Sequence, residues 1–179
     1  MERRELEKQI IEKEWLMFQK VQDVNGRASC QDDWTTFLIM RISQFEGWDM
    51  NVLESYYDYI EQAEAQERNL IMEKYAYMME ETDPVYFLSI KGMLPEISEE
   101  KQLMAEKITS IYMEWEKEAD IKYPNIRRHG RPAEGIGVDG TVSVRNYLKC
   151  ELYTYSVKTL ALFILSIEHN PEYNRYLAT

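Results

Sequence analysis

Four stretches of this chain place charged or phenolic side chains at helical intervals on faces that are otherwise apolar. Glu14 falls between Ile10 and Met17. Phe37, Arg41, Gln44 and Trp48 recur at i, i+4, i+7 and i+11. Lys74, Met78 and Glu81 keep a similar rhythm, and Tyr147, Glu151, Tyr155 and Lys158 share a fourth stripe. A helix-packed core is apolar, so polar groups on inward stripes need partners. If the four faces converge, Glu14, Arg41, Lys74, Glu81, Glu151 and Tyr155 meet in one cluster.

Two chemistries fit such a cluster. In the first it is a site for a small anionic or zwitterionic molecule, with no metal or organic cofactor. Arg41 and Arg131 hold a carboxylate or phosphate. Glu151 acts as general base, its pKa raised by burial. Lys74 orients the substrate or acts as an acid, and Tyr155 and Gln44 donate hydrogen bonds to it. In the second the charges are buried ion pairs that fix helix register, Arg41 with Glu14 or Glu151 and Lys74 with Glu81. Both readings stand at this point.

Other chemistry has less behind it. The two histidines, His129 and His169, lie outside any Glu-x-x-His pattern, so no metal site is expected. Cys30 can sit near a helix start, where thiols acidify, but no base is marked out beside it. Cys150 falls mid-helix and reads as core. There is no phosphate-binding glycine loop. A basic run, Arg127, Arg128, His129 and Arg131, stands out in a chain of net charge −11. Arginine forks suit carboxylate and phosphate, or the run simply balances local acid in a solvated loop.

The elements that must position these residues are helices. Only 7 Gly and 5 Pro are present, and four of the glycines crowd between Gly130 and Gly140, so turn formers are scarce elsewhere. The spacing predicts helices over about 2–22, over 34–45 behind an Asp32 or Asp33 cap, and from Asp49 to about Glu81 with a break near Gln66. Asp83-Pro84 starts a short helix that ends before Gly92. Another runs from Ser98 to about Asp120. Residues 122–140 form the one long loop, of the kind that carries function or moves. Thr141 or Ser143 caps a last long helix to about Glu168, and a turn over 171–177 closes the chain. The expected fold is all-α, a single domain over 1–179, a bundle or array of about five to seven helices with two or three of them long.

Composition excludes several partners. The net charge of −11 repels a phosphate backbone, so neither nucleic acid nor an anionic membrane is expected. No apolar stretch approaches the length of a membrane span, and the charged start, MERRELEKQIIEKEW, is unlike a secretion signal. With two distant cysteines the expected setting is cytoplasmic, with free thiols. The acidic surface and long helices also allow a homo-oligomer.

Four segments resemble an uncharacterised, largely bacterial family, domain of unknown function 4125. They are EWLMFQKVQDVNGRASCQDDWTTFLIMRISQFEGW, ERNLIMEKYAYMME, YPNIRRHGRP and YLKCELYTYSVKTL. Together they span most of the chain. The resemblance implies a helical fold and no stated activity. Its signature residues fall here on Arg27, Cys30, Gln31, Asp33, Arg41, Gln44, Lys74, Tyr75, Arg131, Glu151 and Tyr155. Members joined to nucleotidyltransferase-like domains imply such a protein as a partner, with this chain as a ligand- or partner-binding module. Arg41, Gln44, Lys74, Glu151 and Tyr155 thus belong both to the signature and to the convergent stripes.

Overall fold

Local capping chemistry sets most helix starts in the computed structural model, which describes residues 1–22, 26–124, 130–137 and 140–169. The helices are α1 (Arg3–Gln19), α2 (Trp34–Glu46), α3 (Met50–Ala65), α4 (Leu70–Thr82), α5 (Pro84–Ile90), α6 (Glu99–Lys122), α7 (Val144–Tyr153) and α8 (Val157–His169). The side chains of Asp33, Asn69, Asp83, Ser98 and Ser143 each accept the amide three residues on, at 2.9–3.2 Å. Each satisfies a donor that the first helical turn leaves free. The fold is all-α, with no strand among the described residues.

The described residues hold eight α-helices, one more than the upper end of the expected range, and the reason is local. The last helix was expected unbroken to Glu168, but it divides. Thr154 turns its hydroxyl back onto the Glu151 carbonyl at 2.7 Å, and Ser156 then caps α8 through the Thr159 amide at 3.0 Å. Hydroxyls that bond the backbone locally compete with helix continuation. The break anticipated near Gln66 is present. Glu67 takes a left-handed φ of 57°, and the Arg68 amide reaches back to Ala63 O at 2.9 Å. Residues 125–129 of the long loop, with Arg127, Arg128 and His129, lie outside the described residues, as does the expected turn at 171–177.

α1 is the spine, packing against α2, α3 and α4, while α8 packs on α3 and α6 and α7 on α4 and α6. Ile10, Phe45, Leu53, Ile60, Ile108, Leu152 and Leu160 are fully buried between them. Arg3 reaches from α1 to the exposed carbonyl end of α2, donating to Phe45 O at 2.6 Å and Trp48 O at 2.8 Å. No helix of the described residues is long and apolar enough to cross a membrane.

Candidate functional site

Each helix stripe that carries a misplaced polar residue turns that residue toward one point. Glu14 leaves α1, Arg41 and Gln44 leave α2, Lys74 leaves α4, and Glu151 leaves α7. The Arg41 guanidinium lies between the two carboxylates. Its Nε donates to Glu14 Oε2 at 2.7 Å, Nη2 donates to Glu14 Oε1, and Nη1 donates to Glu151 Oε1 at 3.0 Å. Lys74 Nζ closes the far side, 3.3 Å from Glu151 Oε2. Charges therefore alternate along Glu14, Arg41, Glu151 and Lys74, and none is more than 7% exposed. An isolated buried charge costs several kcal/mol, so only alternation and filled hydrogen bonds make this arrangement stable.

Neutral groups complete it. Gln44 accepts from Arg41 Nη1 at 2.6 Å and donates to Glu151 Oε1 at 2.8 Å. Tyr155 donates to the same oxygen at 2.8 Å, and Tyr56 donates to Glu14 Oε1 at 2.7 Å. Sequence reasoning did not find Tyr56. It sits on α3 among Val52, Leu53, Ile60 and Ala63, and a tyrosine on an apolar stripe reads as core.

The pKa of Glu151, expected to be raised by burial, is lowered instead. Burial pushes its carboxyl up, but the Lys74 ammonium and Arg41 guanidinium, with bonds from Gln44 and Tyr155, hold it well below the usual carboxylate range. A carboxylate that ionised is a weak proton acceptor. Lys74 likewise holds its proton: burial works against the charge, yet Tyr147 and Glu151 raise its pKa above the ordinary lysine value. A lysine that holds its proton so firmly is a weak acid, which favours its orienting role. For Glu14 burial wins, and its pKa is raised despite Arg41 and Tyr56.

The expected Lys74–Glu81 pair does not form. Residues seven apart share a stripe but stand about 10.5 Å apart along the axis. Glu81 is exposed near the end of α4, and Lys74 pairs with Glu151 instead.

Four further candidates brace the loop before α2 rather than enter the cluster. Gln31 is buried and donates to Phe18 O at 2.7 Å and Val21 O at 2.9 Å, closing the carbonyl end of α1. Arg27 bonds Asp32 at 2.8 Å and Gln31 O at 2.9 Å. Asp33 caps α2. Cys30 is exposed and unbridged. Cys150 is buried as expected, and burial pushes its thiol up to about 12.

The outer side of Lys74 is different in kind. Its ammonium donates to Tyr147 Oη at 2.9 Å and lies 4.5 Å from the Tyr147 ring centroid and 5.3 Å from that of Tyr75. Arg131, from the loop, sets its guanidinium 4.9 Å from the same Tyr147 ring. Arg131 is exposed, donates to Val142 O at 3.2 Å and makes no ion pair among the described residues. The Tyr75 hydroxyl makes no hydrogen bond among them either, and burial pushes it up to about 12. Among the described residues no three His, Cys, Asp or Glu side chains converge as a metal ion would require.

No curated protein and no solved structure matches this chain. A family model does, over residues 4–179, nearly the whole length. Its description is Protein of unknown function (DUF4125), and the chain belongs to that family.

Proposed function

We propose that this protein binds a small anionic metabolite, through a carboxylate or phosphate group, in the notch where Lys74 and Arg131 meet the Tyr147 ring. One observation carries the reading. Two cations lie within 5 Å of one phenol ring, at 4.5 and 4.9 Å, and among the described residues the only carboxylate bound to either is Glu151, which Arg41 shares. Among the described residues Lys74 keeps a third N–H beyond its bonds to Tyr147 and Glu151, and Arg131 keeps most of its fork. In a chain of net charge −11, such a notch is complementary to an anion.

The inner residues then have a separate task. Glu14, Arg41, Gln44, Glu151 and Tyr155 saturate one another, fix the register of α1, α2 and α7, and hold Lys74 against the Tyr147 ring. This is a binding role rather than proton transfer, since the central carboxylate, with its pKa held low, is a weak base. A phosphate-bearing ligand also suits a protein working beside a nucleotidyltransferase-like partner. Two unbridged cysteines suit a cytoplasmic setting.

The test is thermal stability against a panel of phosphorylated and carboxylate metabolites. A ligand of the folded state stabilises by about 2.7 kcal/mol at a hundredfold excess over Kd. The exposed variant Arg131→Gln should keep the unliganded Tm and reduce the ligand-induced rise, whereas Tyr147→Phe, which strands a Lys74 N–H, should lower both. A rise that survives in both variants removes the notch as the site.

A further inference from the structure

Away from the charge cluster, a cleft of about 400 Å³ opens between the end of α4 and the start of α7. Glu80 and Glu81, in the last turn of α4, form one wall. Arg145 and Lys149, on successive turns of α7, form the other, with Gly135 of the loop at the edge. Tyr147 lies between them in sequence but points the opposite way, onto Lys74. The cleft and the notch are therefore separate.

The charges across this cleft do not close on each other. Glu80, Glu81 and Lys149 make no ion pair among the described residues. Arg145 is already paired, with Glu106 and Glu134. Backbone dipoles reinforce the separation. Two carboxylates stand at the negative pole of α4, where acidic groups are disfavoured, and Arg145 stands in the first turn of α7, near its positive pole. The α4 wall does not neutralise its own field, and on the facing wall Lys149 has no carboxylate partner among the described residues. The α7 amides themselves are occupied: Val144 N donates to Pro132 O at 2.9 Å, Arg145 N to Ala133 O at 3.1 Å and Asn146 N to Ser143 Oγ at 3.1 Å. Recognition in the cleft thus falls to side chains.

We infer that this cleft is a second binding site, for an amino-acid-sized zwitterion. The ligand ammonium lies against Glu80 and Glu81, and its carboxylate lies against Lys149. A purely anionic ligand meets the two glutamates and a purely cationic one meets the lysine, so both charges are required. The volume falls in the range of small-molecule sites.

Backbone amide NMR on the full chain tests this, with L-alanine, L-glutamine and 4-aminobutyrate as probes. N-acetyl-L-glutamine and L-glutaminamide each lack one charge. The expected result is that a zwitterion shifts the amides of Glu80, Glu81, Gly135 and Lys149, and that each single-charge analogue binds at least about tenfold more weakly. Lys149→Gln and Glu81→Gln, both at solvent-accessible positions, should weaken binding by a similar factor without lowering Tm. Three results would overturn the inference. None of the zwitterions perturbs these amides, or the acetylated analogue binds as well as its parent, or a double-mutant cycle shows Lys149 and Glu81 already coupled in the ligand-free protein.

Discussion

Arg41 Nη1 lies 3.0 Å from Glu151 Oε1, across 110 positions of sequence. That bond joins the second helix to the seventh, and it lies at the centre of the buried cluster. Its removal is the most direct probe of what the cluster does for the fold.

Arg41→Met should be strongly destabilising. The variant leaves Glu14 without its cation and Glu151 with Lys74 alone. Breaking one partner of a buried pair costs about 3–5 kcal/mol. The quadruple variant Glu14→Leu, Arg41→Met, Lys74→Met, Glu151→Leu should recover most of that loss, because replacing all four charges removes the desolvation cost as well as the pairing and leaves no ammonium stranded. Urea denaturation of both measures the difference. A quadruple variant no more stable than the single would show that the charges contribute more than their mutual neutralisation.

Acid should weaken the fold through Glu151. Its carboxyl titrates near the ordinary glutamate value, about 4.3, in the unfolded chain and below it in the folded protein. A lowered folded value gives stability that is complete above the unfolded pKa and lost as pH falls through the folded one. The stability gap between the wild type and Glu151→Gln should therefore be widest near neutral pH and shrink below about pH 4. Glu14, whose value is raised, works with the opposite sign and favours the folded state as pH drops. A gap that is constant into the acid range would mean that Glu151 is not held low.

Gln31→Ala should loosen the loop before α2. The amide side chain accepts from Ala28 N at 2.9 Å and donates to two carbonyls at the end of α1, so its loss strands three backbone groups. The expected cost is about 1–3 kcal/mol. Hydrogen exchange should rise first at residues 26–33, while the core of α3 stays protected.

The two thiols should separate cleanly. Cys30 is exposed and should alkylate in the native protein, whereas Cys150, buried with its thiol pushed up to about 12, should react only on unfolding. Mass spectrometry after native and denaturing alkylation reads both sites. Native alkylation of Cys150 would mean that the packing of α7 against α4 opens readily.

The helices, their caps and most of the inner cluster were legible in the sequence because they follow short-range rules. Asp33, Asp83 and Ser98 announce helix starts by residue type alone, and Arg41, Lys74 and Glu151 stand out as charges on apolar stripes. What was not legible depends on three dimensions. Glu81 matched the stripe of Lys74 by angle, but rise along the axis separates them. The sign of the Glu151 shift required knowing that two cations, not one, face it. Tyr56 offered no signal, since a phenol inside an apolar stripe looks like core until its hydroxyl is seen against Glu14. The division of the last helix turned on two hydroxyls, Thr154 and Ser156, whose effect depends on which backbone group each reaches.

The order in which the four buried charges occur along the chain has a consequence for synthesis. Glu14, Arg41 and Lys74 all precede the long loop, and Glu151 follows it. A nascent chain that has emerged only as far as α6 carries two cations for one carboxylate at the place where these helices meet. That half-built centre carries one positive charge too many for burial, and α7 brings the carboxylate that cancels it.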